Sequence, residues 1–202
     1  MNAMDAPTAA SQPLAHHLLS MAYNNAWANE RLLSACAQLS PAAFSAPRVG
    51  FFPSIRATLN HNLTVDWFYL AALERELRGA PPDPDCYRYF AEREPMLDCA
   101  SLHAAQAEAD RRLLAYCGAQ RDAELQRPVT IARPGREQID SRLRLLAHLF
   151  QHQIHHRGQV HAMLSDTPVA PPQLDEFFCA GEAELRAAEF ARLGWSEAQV
   201  WG

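Results

Sequence analysis

Apolar residues recur at three- and four-residue steps through four long stretches of this chain, a spacing that only an α-helix gathers onto one face. Leu14, Leu18, Met21, Asn25, Leu32, Leu33 and Cys36 carry the first stretch and predict a helix over about residues 14–39. Ser40-Pro41 closes it, because a proline disfavours helix in the residue before it. A loop over 47–53, with Gly50, leads to a second helix over about 54–77, with Ser54 as its N-cap and Gly79-Ala80-Pro81-Pro82 as its stop. Residues 82–95 are proline-rich and acidic, hold Tyr87, Tyr89 and Phe90, and read as a long packed loop. A third helix is expected over about 97–119 and a fourth over about 141–164. Between them, residues 127–132 and 137–139 flank Pro134-Gly135 as two short strands around a turn. Pro168, Pro171 and Pro172 open a coil, and a short helix is expected over about 181–193. The pattern predicts an all-α fold, a four-helix bundle with one small hairpin before its last long helix. Residues 1–13 read as a disordered tail, 14–179 as the bundle and 180–202 as a C-terminal helical extension.

At 202 residues the chain is long enough for one well-buried core and too short for two. The formal charge of -5, with all 18 basic residues arginine and none clustered, excludes a phosphate-binding surface and so nucleic acid as a partner. Cys36, Cys86, Cys99, Cys117 and Cys179 are odd in number and form no CxxC pair, which argues for a reducing compartment rather than a disulfide framework. No stretch approaches the roughly 20 apolar residues of a membrane span. The first 13 residues lack the basic start and apolar centre of a secretory signal. A cytoplasmic, soluble single domain is expected.

Chemistry is concentrated in the fourth helix, where His148, His152, His155 and His156 fall close together. At about 100° per residue, and with His152 as zero, Leu145 and Met163 lie near 20°, His156 near 40° and Leu149 near 60°. His148 at about -40°, His155 at about -60° and His161 near 180° fall outside this stripe. His152 and His156 therefore face the interior together, four residues apart, close enough to share one metal ion. A single core histidine is most simply a hydrogen-bonded core residue. Two in one stripe are costly to bury without a common partner. His155 adjoins His156 and takes its place if the helix is overwound.

His61, in the middle of the second helix, shares a face with Ser54, Val65, Phe68, Tyr69 and Ala72 and should point inward as the third ligand. An opposite stripe of Leu59, Leu63, Leu70 and Leu77 suggests that this helix also meets a second subunit. Gln159, near -20°, is placed to support a ligand imidazole, while Arg157 is expected to brace the bundle. Asn25, Asn29 and Glu30 are packing or solvent residues first and ligand contacts second. Trp27, Trp67 and Phe68 read as core aromatics first and as the lining of a pocket above the metal second. No carboxylate pair, Gly-rich phosphate loop or nucleophile elbow stands out.

Three motifs in order, Tyr23-Asn24-Asn25-Ala26-Trp27-Ala28-Asn29, Thr58-Leu59-Asn60-His61 and the run from His152 to His161, resemble the DinB/YfiT-like metalloenzyme family across about residues 14–178. The resemblance implies a four-helix bundle, one divalent ion on His61, His152 and His156, and a homodimer. Three imidazoles leave a coordination position open, which suits catalysis or ligand binding better than a structural site. Zinc is the first expectation for the ion and nickel the second. Such an ion acidifies water or a small thiol, so hydrolysis or transfer of a low-molecular-weight thiol on a small-molecule substrate is expected. Known relatives include thiol-dependent transferases and isomerases, which tilts the resemblance toward thiol chemistry. The rival is a non-catalytic bundle that an ion staples or arms for ligand binding.

Overall fold

The computed structural model describes residues 12–201, and among these it is mostly helical with one two-stranded antiparallel sheet. The expected tail over 1–13 lies outside the described residues except at its last two positions. There Pro13 already opens the first helix, α1 (Pro13–Cys36), as the first helical residue, a place where its missing N–H costs nothing. A short helix, α2 (Pro41–Ser45), follows where only a stop was expected: Ser40 Oγ accepts from the Ala43 N–H at 3.1 Å, and Pro41 starts the turn. The first helix already stops at Cys36, short of the expected end near 39, and Ser40-Pro41 caps a second helix instead.

The second long helix, α3 (Ile55–Leu77), is capped as expected by Ser54, whose hydroxyl accepts from the Ala57 N–H at 3.0 Å. The third, α4 (Cys99–Gly118), is capped by Asp98, accepting from Ser101 N–H at 2.8 Å. Strands β1 (Pro128–Arg133) and β2 (Arg136–Ser141) pair antiparallel from Pro128↔Ser141 to Arg133↔Arg136, so the expected hairpin forms. Gly135 turns it at a φ of 73°, which glycine reaches without strain. Ser141 ends β2 and caps the fourth long helix, α5 (Arg142–Leu164), so the hairpin feeds directly into it. Two further helices, α6 (Ala183–Leu193) and α7 (Glu197–Trp201), complete the chain.

The four long helices enclose two apolar clusters, and their order in each reveals the helix directions. Leu18 of α1, Phe68 of α3, Leu113 of α4 and Leu146 of α5 meet at one end, with Val129 and Ile131 of β1. Leu32 and Leu33 of α1, Ile55 of α3, Leu102 of α4 and Val160 of α5 meet at the other, plugged by Phe44 of α2. Hence α1 and α5 run one way and α3 and α4 the other. Consecutive parallel helices need a connection that returns along the bundle, and this explains the long proline-rich segment between α3 and α4. It contains a short 3-10 turn, Cys86–Phe90, and is pinned to α3 by Asn60, which donates to Met96 O and accepts from Met96 N–H, both at 2.8 Å.

Both stripes of α3 are consumed inside the chain. Leu59, Leu63 and Leu70 are buried as fully as Val65, Phe68 and Tyr69, and Leu77 alone of that set is exposed. The stripe that suggested a second subunit is core. The C-terminal segment is also packed rather than appended: Phe177, Phe190 and Val200 cover Tyr23 and Trp27 on the outer side of α1. Among the described residues no helix is long and apolar enough to cross a membrane. All five cysteines are free, and Cys36, Cys86 and Cys117 are buried as ordinary small apolar residues.

Candidate metal centre

Helices α3 and α5 pack side by side and bring His61, His152 and His156 together, with one ring nitrogen of each within 4.8 Å of the others. His61 Nε2 and His152 Nε2 are 2.9 Å apart, and the three ring centroids are separated by 4.5 to 4.8 Å. Two imidazole lone pairs tolerate such an approach only with positive charge between them, either a proton on one ring or a shared cation. Burial, helped by neighbouring histidines, holds His61 down at about 4 and His152 at about 3, and also lowers His156. Near neutral pH all three are uncharged, the form that binds metal.

His156 Nδ1 lies 2.7 Å from Gln159 Oε1, and Gln159 Nε2 lies 3.1 Å from His155 Nε2. With the amide in this orientation Nδ1–H of His156 donates, which leaves its Nε2 lone pair free for an ion. His152 Nδ1 is buried and has no protein partner. The donor set is therefore three neutral imidazoles with no thiolate or carboxylate, and it fits zinc, nickel or another imidazole-binding divalent ion. Replacing Gln159 with leucine should weaken metal binding by about 10–100-fold without unfolding the chain, as measured by competition against a metal-sensing dye.

The other histidines do not join the converging nitrogens, although the His155 ring lies 4.8 Å from that of His156. His148 is exposed against the Tyr69 ring at 5.2 Å, His155 is exposed, and His161 lies 3.0 Å from Pro172 O. The aromatic residue over the site is Phe52, 4.4 Å from the His61 ring and 5.5 Å from that of His156. Sequence reasoning missed it, because it sits in a loop with no periodicity. Trp27 and Phe68 are core residues, as expected, and Trp67 faces a surface groove with Tyr89 and Arg112.

Between the two apolar clusters, level with the histidines, lies a polar layer that the sequence did not disclose. Arg157 NH1 donates to Asn25 Oδ1 at 2.5 Å, Asn29 Oδ1 at 3.0 Å and Gln153 Oε1 at 3.3 Å. The amide nitrogens of Asn25 and Asn29 in turn donate to Asp110, and that of Gln153 donates to Asp66 at 2.6 Å. Gln106 Nε2 donates to both carboxylates, at 2.8 and 3.2 Å. Asn25, Asn29 and Gln153 each present oxygen to the cation and nitrogen to an anion, so one guanidinium serves two acids through spacers. A carboxylate pair is thus present after all, bonded to none of the three histidines. In the sequence Asp66 and Asp110 are two polar residues among several in α3 and α4, and nothing local pairs them. Arg157 braces the bundle, as expected, and Asn25 and Asn29 belong to the brace.

Burial raises Asp66 to about 6 and, with the Asp66 charge adding to burial, Asp110 to about 7, from an ordinary 3.8. The folded chain takes up these protons at a pH where the unfolded chain does not, so their stabilisation is complete below 3.8 and lost as pH rises through 6 to 7. The histidines act oppositely: the unfolded chain protonates them below 6.5 and the folded chain does not until about 4 and 3. Between about pH 5 and 6.5 the two acids and the histidines His61 and His152 nearly cancel, and the lowering of His156 tips the balance toward the histidines. The metal-free chain should therefore gain a little melting temperature from pH 5 to about 7 and then level off, in circular dichroism scans across pH 5–8.5.

Comparison with curated proteins returns no match. Comparison with protein families aligns residues 11–186 with the DinB family, a span that holds all four long helices and all three clustered histidines. The chain belongs to the DinB family.

Proposed function

We propose that this protein is a metal-dependent enzyme of the DinB/YfiT bundle type that hydrolyses a small molecule or transfers a low-molecular-weight thiol to it. His61, His152 and His156 hold one divalent ion, zinc first and nickel second. The observation that carries the reading is the convergence of three neutral imidazoles within 4.8 Å, with no fourth His, Cys, Asp or Glu joining the group among the described residues. A structural zinc site normally fills four positions from the protein, whereas three histidines keep one for an exogenous ligand. Such an ion, when bound, supplies a Lewis acid that polarises or acidifies what occupies that position. Gln159 holds His156 in the ligating tautomer, and Phe52 shields one side of the group from water.

A cytoplasmic setting and a homodimer belong to the same reading, the dimer supported by the family resemblance and no longer by α3. Light scattering at micromolar concentration checks it, and a purely monomeric mass removes it. The site itself is tested by elemental analysis of protein prepared without an affinity tag, with close to one ion per chain expected. A panel of thiol-transfer and ester-hydrolysis reactions then tests turnover. An ion-bound protein that turns over nothing points to the second reading, a non-catalytic bundle whose ion grips a ligand or staples two helices. One observation favours that alternative: among the described residues, no carboxylate or hydroxyl is hydrogen-bonded to the three histidines.

A further inference from the structure

A cavity of about 330 Å³ opens between α1, α4 and the end of α6, and none of the three clustered histidines lines it. It exists because Ala26 on α1 and Ala107 on α4 leave their helices short of side-chain volume there. Leu33, Leu114 and Trp195 supply apolar walls, and Asn29 and Asp110 of the polar layer form its floor. Arg192, Leu193 and Trp195 lie beyond the residues matched to the family, so the C-terminal segment of this chain completes the cavity. Its size falls within the range of small-molecule sites and exceeds the roughly 150 Å³ that receives a benzene ring.

The charges around it are unequally partnered. At the rim, Glu30 Oε2 lies 2.7 Å from His103 Nε2, Glu30 Oε1 lies 3.6 Å from Arg192 Nε, and Arg111 is bonded to Glu108 at 2.5 Å. Both rim arginines and His103 thus have a carboxylate beside them. On the floor the balance is reversed: Asp110 and Asp66 share the single cation Arg157 and reach it only through amides. Asp110 Oδ1 accepts from Asn25, Asn29 and Gln106, whereas Oδ2 has one amide contact, with Asn29 at 3.2 Å. Oδ2 is the oxygen with capacity for another donor, and Asp110 lines the cavity.

We propose that this cleft is a second small-molecule site, which takes an amine with a short apolar or aromatic body and receives its ammonium at Asp110. The cation supplies the charge that the floor lacks, and Leu33, Leu114 and Trp195 cover the body. The proposal does not rest on the metal reading, since the lining comes from α1, α4, the end of α6 and Trp195 just beyond it, and includes no clustered histidine.

Benzylamine, benzyl alcohol and benzoate share one ring and differ in charge, so titrating each into the full chain by calorimetry separates charge from shape. Excess chelator keeps amine coordination to any ion from registering. Benzylamine should bind at least about tenfold more tightly than the alcohol, and benzoate more weakly than either. Ala107→Leu, which fills the cleft from α4, should abolish amine binding while the circular dichroism spectrum is unchanged. Asp110→Asn should bring the amine down to the level of the alcohol; if that variant does not fold, Ala107→Leu decides. Benzoate binding as tightly as the amine, undiminished amine binding in Ala107→Leu, or no amine binding up to about 10 mM each overturns the proposal.

Discussion

Replacing His152 with alanine should abolish stoichiometric metal binding and leave the helices folded. His152 is the middle member of the group, 2.9 Å from His61 through Nε2 and one helical turn from His156. Its loss leaves two imidazoles and should weaken affinity beyond the roughly 10–100-fold typical of residues that only support a ligand. The metal-free variant should lose little stability, because burial already disfavours the charged form of His152 and its Nδ1 has no protein partner. Calorimetric metal titration and thermal melts of both proteins, with and without chelator, separate the outcomes. Unchanged stoichiometric binding removes His152 from the site. A variant that unfolds even beside a metal-free parent shows a histidine that serves the fold instead. In an enzyme, turnover falls with the ion; in a stapled binder, the main loss is thermal stability.

Replacing Arg157 with methionine should destabilise the chain by about 3–5 kcal/mol at pH 8, because it strands two buried carboxylates and three amide oxygens without their cation. The cost should shrink on acidification to pH 5.5, below the values of about 6 and about 7 held by Asp66 and Asp110, since protonated acids no longer need the guanidinium. Urea titrations at the two pH values measure this directly. An equal cost at both would mean that Arg157 contributes packing rather than charge. Methionine rather than alanine limits the cavity left behind.

Much of the fold was legible from local chemistry. Ser54 announces the start of α3, and Pro134-Gly135 announces the hairpin. The pair His152 and His156 followed from helical angle alone, because an apolar stripe is a geometric property of one segment. What escaped depends on contacts between segments. Ser40-Pro41 reads as a stop for α1 but serves as the start of α2, and only the burial of Phe44 makes that role worth a helix. The leucines on the far stripe of α3 read as an interface because nothing local reveals that the bundle surrounds them. Asp66, Gln106, Asp110 and Gln153 look like isolated polar interruptions until four helices place them in one layer.

That layer has a consequence for the imidazoles beside it. Gln153 and Arg157 each directly follow a clustered histidine on α5, and both are tied to other helices by directional bonds. Greasy surfaces tolerate small slips and rotations, whereas these bonds act as a spline that fixes both the roll and the height of α5. The aim of His152 and His156 is thus set from behind, by side chains that never meet the ion. Loosening the spline should spoil the coordination sphere while the helices themselves still stand.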